Sequence, residues 1–248
     1  MTALRTVTFG DLDAGVWGAG WAGPRATLFA GTASDALALG ACSIEGAQAN
    51  EEWTVTADGA QLTFAPAGEA AQEAQLHGFD QLCQIRGTVT LAGAEHTVEC
   101  LGRRAVRGQL ELDSLDSVRD FSAWFKPVES GEPADGLAVT ALRPRGSIGN
   151  DADAIAAALL EQGEAPTVAE SRLSTTYSEE GAPIRVGLEL WLEADPEGEQ
   201  PFPRRAAGEA LAAVASVATN GFELQARPFR CHSRGREGTG VYLLALAR

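Results

Sequence analysis

The feature that most constrains the fold is a two-residue alternation of apolar and polar side chains that recurs along the chain. In WTVTADGAQLTF, Trp53 and Val55 alternate with threonines, and the alternation resumes after Asp58-Gly59. An Asp-Gly pair between two such runs is a strong β-hairpin signal, because both residues accept the positive φ of a tight turn. QIRGTVTLAGAEHTVECLG repeats the pattern, and IRVGLELWLEA places five apolar residues on one face. The chain is therefore predicted to be mainly β and antiparallel.

The order of these motifs is repeated, which indicates two tandem β units. Each half has a Trp-bearing strand, a Thr-rich hairpin, a Gly-Phe pair and a hairpin with Cys and Arg. A chain of 248 residues is long enough for two units of about 120 residues each. The boundary is placed in the acidic stretch LELDSLDSVRD, giving units 1–112 and 113–248. One continuous, larger sheet system is the alternative.

Two segments depart from the β pattern and predict one or two short helices. GNDADAIAAALLEQG has Asn150 or Asp151 as an N-cap, apolar residues at helical spacing, and a closing Gly163. The segment 203–219 is Ala-rich, which favours a helix, although Gly208 lies inside it. A strand over 203–219 is the alternative, since a second barrel would need one there.

Composition argues against several classes of partner. Acidic residues exceed basic ones to give a net charge of −15 and a pI near 4.6, so the field of the protein repels nucleic acid and anionic membrane surfaces. The first residues do not resemble a signal peptide and there is no run of 18 apolar residues, so we expect a cytoplasmic protein without membrane insertion. The four cysteines and three histidines lack metal-site spacing, so no metal is expected.

The stretch FRCHSRGREGTGVYLL near the end of the chain is predicted to be a hairpin. Its glycines run in the opposite order to a dinucleotide-binding loop and precede a strand, so no nucleotide cofactor is expected. A turn over residues 235–238 would place Cys231 opposite Tyr242. His232 is then either an ordinary strand residue or a proton donor or acceptor in a pocket.

The other candidate site residues lie on predicted strands. Glu189 and Trp191 share the polar face of IRVGLELWLEA, which faces either solvent or a barrel lumen, and RDFSAWF presents the same choice. RLSTTYS is rich in hydroxyl groups that are suited to bind a ligand. The predicted catalytic residues are His232, Glu189, Tyr177 and Asp120, and the predicted ligand-binding residues are Trp124, Trp191, Arg172 and Tyr242.

Several strings along the chain, among them CLGRR, RDFSAWF, ALRPRG, RLSTTY and FRCHSRGREGTGVY, resemble the carotenoid hydratase/AttH-like family. The resemblance spans the chain from about Val16 to Leu244 and implies two lipocalin-like barrels in tandem. It further implies apolar, isoprenoid- or polyketide-like ligands and hydration, isomerisation or cyclisation without a cofactor. It transfers no catalytic residue to this chain.

The sequence thus predicts a protein that binds an apolar or amphipathic small molecule in a β-barrel pocket. Cofactor-independent hydration, isomerisation or cyclisation is the enzymatic form of this hypothesis, and a non-catalytic carrier is its binding form. A structural module that forms a homodimer through an edge strand is the third reading.

Overall fold

The computed structural model describes residues 2–23, 26–73, 75–128, 131–149, 152–163, 165–193, 202–219 and 221–248, apart from the side chains of Thr2 and Gln109. Within these ranges the chain forms two nine-stranded antiparallel sheets, connected by the 3₁₀ turn Leu112–Ser114. The prediction of a mainly β chain in two lipocalin-like units is confirmed. No helix in the described ranges is long and apolar enough to span a membrane.

The first sheet closes into a barrel. Its strands are β1 (Thr2–Asp11), β2 (Val16–Ala22), β3 (Ala26–Gly31), β4 (Ala36–Glu45), β5 (Trp53–Ala57), β6 (Ala60–Pro66), β7 (Ala71–Glu73), β8 (Gly78–Leu91) and β9 (Ala94–Leu110). They lie in the order β6-β5-β4-β3-β2-β1-β9-β8-β7, and β6 also pairs with β8, which closes the ring. We call this the first barrel.

The second sheet repeats this topology but leaves one junction unpaired. Its strands are β10 (Leu115–Phe125), β11 (Asp135–Pro144), β12 (Ala154–Glu161), β13 (Val168–Tyr177), β14 (Pro183–Leu192), β15 (Arg204–Ala210), β16 (Ala215–Thr219), β17 (Phe222–Ser233) and β18 (Arg236–Ala247). The order is β12-β11-β10-β18-β17-β15-β14-β13, with β16 on β17. Among the described residues no strand pairing joins β12 to β13, and we call this junction the seam of the second barrel.

The two sheets correspond strand for strand. β10 pairs with both β11 and β18, as β1 pairs with β2 and β9, and β16 lies on β17 as β7 lies on β8. The 3₁₀ turn between the sheets contains the predicted boundary between residues 112 and 113. We propose this turn as the limit between two units derived from one duplicated sequence.

The predicted helices are wrong, because both segments are strands. Residues 154–161 form β12, whose Ile155 and Leu159 face the lumen of the second barrel while Ala156 and Leu160 face the first barrel. A strand that is buried on both faces loses the alternation that identifies a strand. The proposed N-cap residues Asn150 and Asp151 lie outside the described residues.

The segment 203–219 contains β15 and β16 rather than a helix. Gly208 belongs to the lumen packing there, since a Cβ atom at this position would lie 3.0 Å from the Cys231 Sγ and 3.1 Å from Val186 Cγ1. The glycine that argued against a helix therefore marks close packing inside the second barrel.

The last hairpin is confirmed, but its predicted register is wrong. The turn consists of Arg234 and Gly235, which have φ values of 51° and 77°. Two consecutive positive φ values give a two-residue turn that matches the twist of the paired strands. Cys231 consequently lies opposite Gly238, and not opposite Tyr242.

The lumen of the first barrel is filled with side chains. Trp53 and Phe79 pack edge to face with ring centroids 6.0 Å apart, and Arg104 lies over the Trp53 ring at 5.1 Å. Arg104 also donates hydrogen bonds from Nε and Nη2 to Gln81 Oε1, at 3.0 and 2.6 Å. The two aromatic rings therefore pack against each other, and the guanidinium of Arg104 both stacks on Trp53 and is hydrogen-bonded to Gln81.

A buried ion cluster lies between the barrels. Arg103 and Arg107, from β9, bind Asp80 of β8 through Nε at 2.6 Å and Nη2 at 2.7 Å, respectively. Arg103 also forms an ion pair with Asp120 of β10. All four residues are 1% exposed. Two guanidinium groups and two carboxylates balance in charge, so their mutual attraction offsets the desolvation penalty of burying four ions.

Hydroxyl groups complete the cluster. Thr6 Oγ1 donates to Asp120 Oδ2 at 2.9 Å, and Arg107 Nη2 donates to Thr140 Oγ1 at 2.9 Å. The hydroxyls of Thr8 and Ser122 lie 2.7 Å apart beside it. These bonds join β1 and β9 of the first barrel to β10 and β11 of the second, so the cluster sets the relative position of the barrels.

Asp80→Asn is expected to lower the free energy of unfolding at pH 7 by about 3–5 kcal/mol, because it leaves two buried guanidinium groups with one carboxylate. Burial raises the pKa of Asp80, but the charges and hydrogen bonds of Arg103 and Arg107 outweigh it, so its pKa is lowered from 3.8. A carboxyl whose pKa is lower in the folded than in the unfolded state stabilises the fold at pH values above its unfolded pKa. This stabilisation is lost as the pH falls from the unfolded pKa through the folded pKa. The two proteins should therefore converge in stability as pH falls below about 4.

Urea unfolding from pH 7 to pH 3 measures both effects. Glu189→Gln serves as the control, because Glu189 is paired with Arg205 at a site where the two side chains are 34% and 65% exposed. This control should cost no more than about 1 kcal/mol. Equal losses in the two variants would refute the structural importance of the cluster.

The cysteines provide a second test of the fold. Burial raises the pKa of Cys42 to about 11 and the pKa values of Cys83 and Cys100 to about 12, and it also raises the pKa of Cys231. Because the thiolate is the reactive form, we expect the native protein at pH 8 to react slowly with a disulfide reagent, first at the half-buried Cys42. Denaturation should release four reactive thiols. Rapid reaction of two or more thiols in the native protein would contradict the buried positions.

Candidate functional site

A cavity lined by both polar and apolar side chains lies at one end of the second barrel. It has a volume of about 540 Å³ and opens to solvent. Its walls are β10, β11 and β18 on one side and β13 on the other, at the end of the seam where β12 begins and β13 ends. We call it the mouth. Its lining comprises Ser117, Arg119, Arg143, Leu173, Ser174, Thr175, Tyr177, Gly181, Leu244 and Leu246.

The alternation along β10 places charged groups at the mouth. Phe121 and Phe125 point into the lumen and belong to its apolar core, so Ser117 and Arg119 continue the same face toward the end of the barrel. Deeper in, Phe121, Phe229 and Tyr242 form a cluster with ring centroids 5.9–6.1 Å apart. We call this cluster the apolar floor: it fills the lumen below the mouth, and its three side chains are not among those that line the cavity.

Two arginines share one carboxylate at the mouth. Arg119 is 7% exposed and forms an ion pair through Nη2 with Asp153, whose side chain is fully buried. Arg143 donates to the same carboxylate from Nε at 3.1 Å and from Nη2 at 3.4 Å. Asp153 is thus a common acceptor for both guanidinium groups.

Hydroxyl groups lie beside the arginines. The hydroxyls of Tyr242 and Thr175 are 3.1 Å apart, and Tyr177 is a further hydrogen-bonding neighbour of Tyr242. Burial raises the pKa of Tyr242 far above its ordinary value, and the charge of Tyr177 adds to this, whereas the Thr175 bond and Arg119 act in the opposite direction. Tyr242 therefore keeps its proton at neutral pH and is available as a donor.

The mouth combines these donors with leucine side chains. Leu173 and Leu246 are half-buried in its wall and Leu244 is buried below them. An apolar wall with a few convergent polar groups is the usual composition of a small-molecule site. Chemically, the arrangement suits a molecule with an apolar body and an oxygen-bearing end.

The predicted site residues fall into three separate places, and two of them lie at the mouth. Tyr177, which is 39% exposed, lines the cavity, and Tyr242 is buried behind the lining with its hydroxyl 3.1 Å from that of Thr175. The structure brings this pair together although the residues are 65 positions apart in the chain. Their roles in catalysis and binding stay predictions.

A second group lies on the outer surface of the second barrel. His232, Glu189 and Arg172 line one open groove of about 570 Å³, and Arg172 lies over the ring of Trp191 at 4.8 Å. The alternative in which Glu189 and Trp191 point into the lumen is wrong. Leu188 of the same strand lies in the lumen, and side chains alternate between the two faces of a strand, so Glu189 and Trp191 point outward. His232 is likewise exposed.

The remaining two residues lie between the barrels. Asp120 belongs to the ion cluster, and Trp124 is buried and donates from Nε1 to the Gly10 carbonyl oxygen of the first barrel at 2.9 Å. A position facing the lumen of the second barrel is wrong for both residues, because this face of β10 is covered by the first barrel. Trp124 instead lines a small cavity between the barrels, together with Gly10 and Thr239.

Sequence reasoning missed Arg119, Arg143 and Asp153. The position of Arg119 could have been predicted from the sequence. In RDFSAWF it is an even number of residues from Phe121 and Phe125, so the three side chains share the lumen face of the strand. Arg143 and Asp153 follow from strand register, which the sequence does not specify. In the described part of the chain no group of three or more His, Cys, Asp or Glu side chains is placed to hold a metal ion.

Comparison with solved structures supports the two-barrel fold. Kievitone hydratase from Nectria haematococca matches with a TM-score of 0.57 at 9% identity, covering 99% of this chain and 88% of that one. A Nitrosomonas europaea protein provisionally named AttH matches with a TM-score of 0.52 at 9% identity, covering 99% and 92%. No family model matches the chain, and no curated protein matches its sequence. The predicted resemblance to AttH-like proteins is confirmed at the level of the fold.

The charge arrangement at the mouth predicts unequal effects of two substitutions. Asp153→Asn should lower the free energy of unfolding by about 3 kcal/mol, because it leaves the guanidinium of Arg119 buried without a carboxylate. Arg119→Met should cost no more than about 1 kcal/mol, since Asp153 keeps its two bonds to Arg143. Chemical denaturation of both variants measures the difference. Equal or reversed losses would contradict this charge arrangement.

Proposed function

We propose that the protein binds an amphipathic small molecule at the mouth of the second barrel. The apolar part of the molecule packs against Leu173, Leu244 and Leu246. Its polar end forms hydrogen bonds with Arg119 and with the hydroxyl groups that line the cavity. The first barrel acts as the fixed support for this site.

The observation that carries the proposal is the guanidinium of Arg119. It is desolvated in the wall of an open cavity, and its Nε atom makes no hydrogen bond to any described residue. Buried polar groups are nearly always paired, so an unpartnered donor on a side chain that lines a cavity favours a ligand or solvent partner for that side chain. The neighbouring leucines favour a ligand with apolar surface.

Hydration or isomerisation of the bound molecule is the second candidate function. Hydration adds the proton and the hydroxyl group of one water molecule across a double bond, and it needs a positioned acid or base and exclusion of bulk water. Tyr177, Tyr242 and Thr175 provide linked hydroxyls beside the apolar floor. One of the structurally similar proteins bears the name of a hydratase, which agrees with this chemistry.

Binding is tested by blocking the mouth. Leu246→Trp places an indole in the cavity, and we expect it to lower the affinity for an uncharged fluorescent apolar probe, Nile red, by about tenfold, equivalent to 1.4 kcal/mol. Leu37→Trp on β4 of the first barrel is the matched control, because Leu37 is already 46% exposed and lies outside the mouth. The proposal fails if Leu246→Trp binds the probe as the original protein does.

The second candidate function needs a separate experiment. Native mass spectrometry of freshly purified protein, followed by denaturing extraction, identifies any bound molecule and its chemical class. Incubating that molecule with the protein in ¹⁸O-labelled water should introduce one labelled oxygen if the protein is a hydratase. Tyr177→Phe should slow this incorporation. Binding without incorporation would refute hydration, and recovery of the molecule chemically unchanged would then identify a carrier rather than an isomerase.

A further inference from the structure

We propose that the molecule bound at the mouth carries a hydroxyl group, and that the buried Tyr242 selects it by fixing the hydrogen-bond directions of Thr175 and Tyr177. Tyr242 is in this respect a positioning residue, because it acts through two hydroxyls of the lining. This inference rests on the proposed function, because it specifies the polar end of the ligand of that same site.

The hydroxyl of Tyr242 is enclosed between the apolar floor and the lining of the mouth. Tyr242 is 0% exposed, and its ring packs against Phe121 and Phe229 at centroid distances of 5.9 and 6.1 Å. Its hydroxyl lies 3.1 Å from Thr175 Oγ1, and Tyr177 is its other hydrogen-bonding neighbour among the described residues. Because a buried tyrosine hydroxyl needs a partner for its proton, the proton goes to Thr175 or to Tyr177.

One proton serves one of these two neighbours. If Tyr242 donates to Thr175, it accepts from Tyr177, and if it donates to Tyr177, the two roles are exchanged. The lining hydroxyl that accepts from Tyr242 keeps its own proton for the cavity, whereas the other has used its proton and offers lone pairs alone. In either arrangement the mouth presents one hydroxyl donor and one hydroxyl acceptor.

Arg119 adds a second donor to this pair. A guanidinium donates and never accepts hydrogen bonds, and the Nε atom of Arg119 has no partner among the described residues. Two donors and one acceptor match a hydroxyl group, which has two lone pairs and one proton. A carbonyl, ether or carboxylate oxygen has no proton to give, so the acceptor in the lining would stay unpaired at a cost in affinity.

The two serines of the lining do not contribute to this selection. Ser174 donates its proton to the Gly187 carbonyl oxygen at 3.3 Å. The hydroxyl of Ser117 can rotate to donate or to accept, so it serves any oxygen group equally. The selection therefore depends on the two hydroxyls whose directions Tyr242 fixes.

Another hydroxyl pair shows what distinguishes the mouth. Thr8 and Ser122 place their hydroxyls 2.7 Å apart, but both side chains are 0% exposed in the contact between the barrels. Thr175 and Tyr177, in contrast, line an open cavity. The chain has only two tyrosines, and the fold brings both to this end of the second barrel. The oriented hydroxyls at the mouth are thus accessible to a ligand.

The test compares two molecules with one carbon skeleton, undecan-2-ol and undecan-2-one, as competitors of bound Nile red at pH 7. The alcohol can donate and accept, whereas the ketone can only accept. We expect the alcohol to displace the probe at a concentration about fivefold lower, as one additional hydrogen bond would give. Equal potency, or a preference for the ketone, would overturn the inference and leave the proposed binding function intact. Failure of Nile red and of both competitors to bind would refute the proposed function itself.

Three variants locate the effect. Tyr242→Phe keeps the ring and removes the hydroxyl, so Thr175 and Tyr177 both keep their protons and the preference for the alcohol should disappear. Thr175→Val should abolish it as well, because Tyr242 then donates to Tyr177 and no acceptor remains. Thr176→Val is the matched control on the same strand, because Thr176 is exposed and lies outside the lining, and it should keep the full preference.

The ratio of the two potencies separates positioning from a structural effect. A substitution that only loosened the fold would weaken both competitors equally and leave their ratio unchanged. An unchanged ratio in Tyr242→Phe would therefore overturn the role of Tyr242. Equal loss of the preference in Thr175→Val and Thr176→Val would likewise contradict the assignment of the site to the mouth.

Discussion

The ion cluster of Asp80, Arg103, Arg107 and Asp120 is the interaction on which the two-barrel arrangement depends. The first barrel contributes two guanidinium groups and one carboxylate, and the second contributes the remaining carboxylate. Neither barrel could bury its own part without an uncompensated charge, which is far more costly than a buried pair. The cluster also supports the mouth, because Asp120 faces the first barrel from β10 while the adjacent Arg119 faces the cavity from the same strand.

The two sheets share one topology but have different interiors. In the first barrel every neighbouring pair of strands is hydrogen-bonded, and Trp53, Phe79 and Arg104 fill the lumen. In the second barrel the seam interrupts the pairing, and the lumen face carries polar side chains at one end. The closed copy is thus suited to support and the interrupted copy to binding, a division that the shared strand order alone does not require.

Sequence predicted most reliably those elements that have one face in solvent. The hairpin of β5 and β6 was recognised because its polar residues alternate with Trp53 and Val55. The sequence of β12 predicts a helix because it lacks the alternation of a strand. The first barrel covers the outer face of β12, so both of its faces are apolar. The sequence likewise predicts a pocket position for Asp120. Its ion partner comes from β9, and the residues of β10 itself do not indicate that pairing. Tyr177 and Tyr242 could be named as candidates because hydroxyl-bearing residues on predicted strands are visible in the sequence, and their roles stay predictions.

The seam between β12 and β13 gives the second barrel a mechanical property that the first lacks. The circumference of a closed barrel is set by its strand number and by the hydrogen-bond register of its strands. Where one junction is unpaired, the wall can widen or narrow by moving side chains past one another, without breaking a backbone hydrogen bond. The mouth lies at the open end of this junction, so a change in its width would break no hydrogen bond between these two strands, and under the proposed function it could admit ligands of different girth.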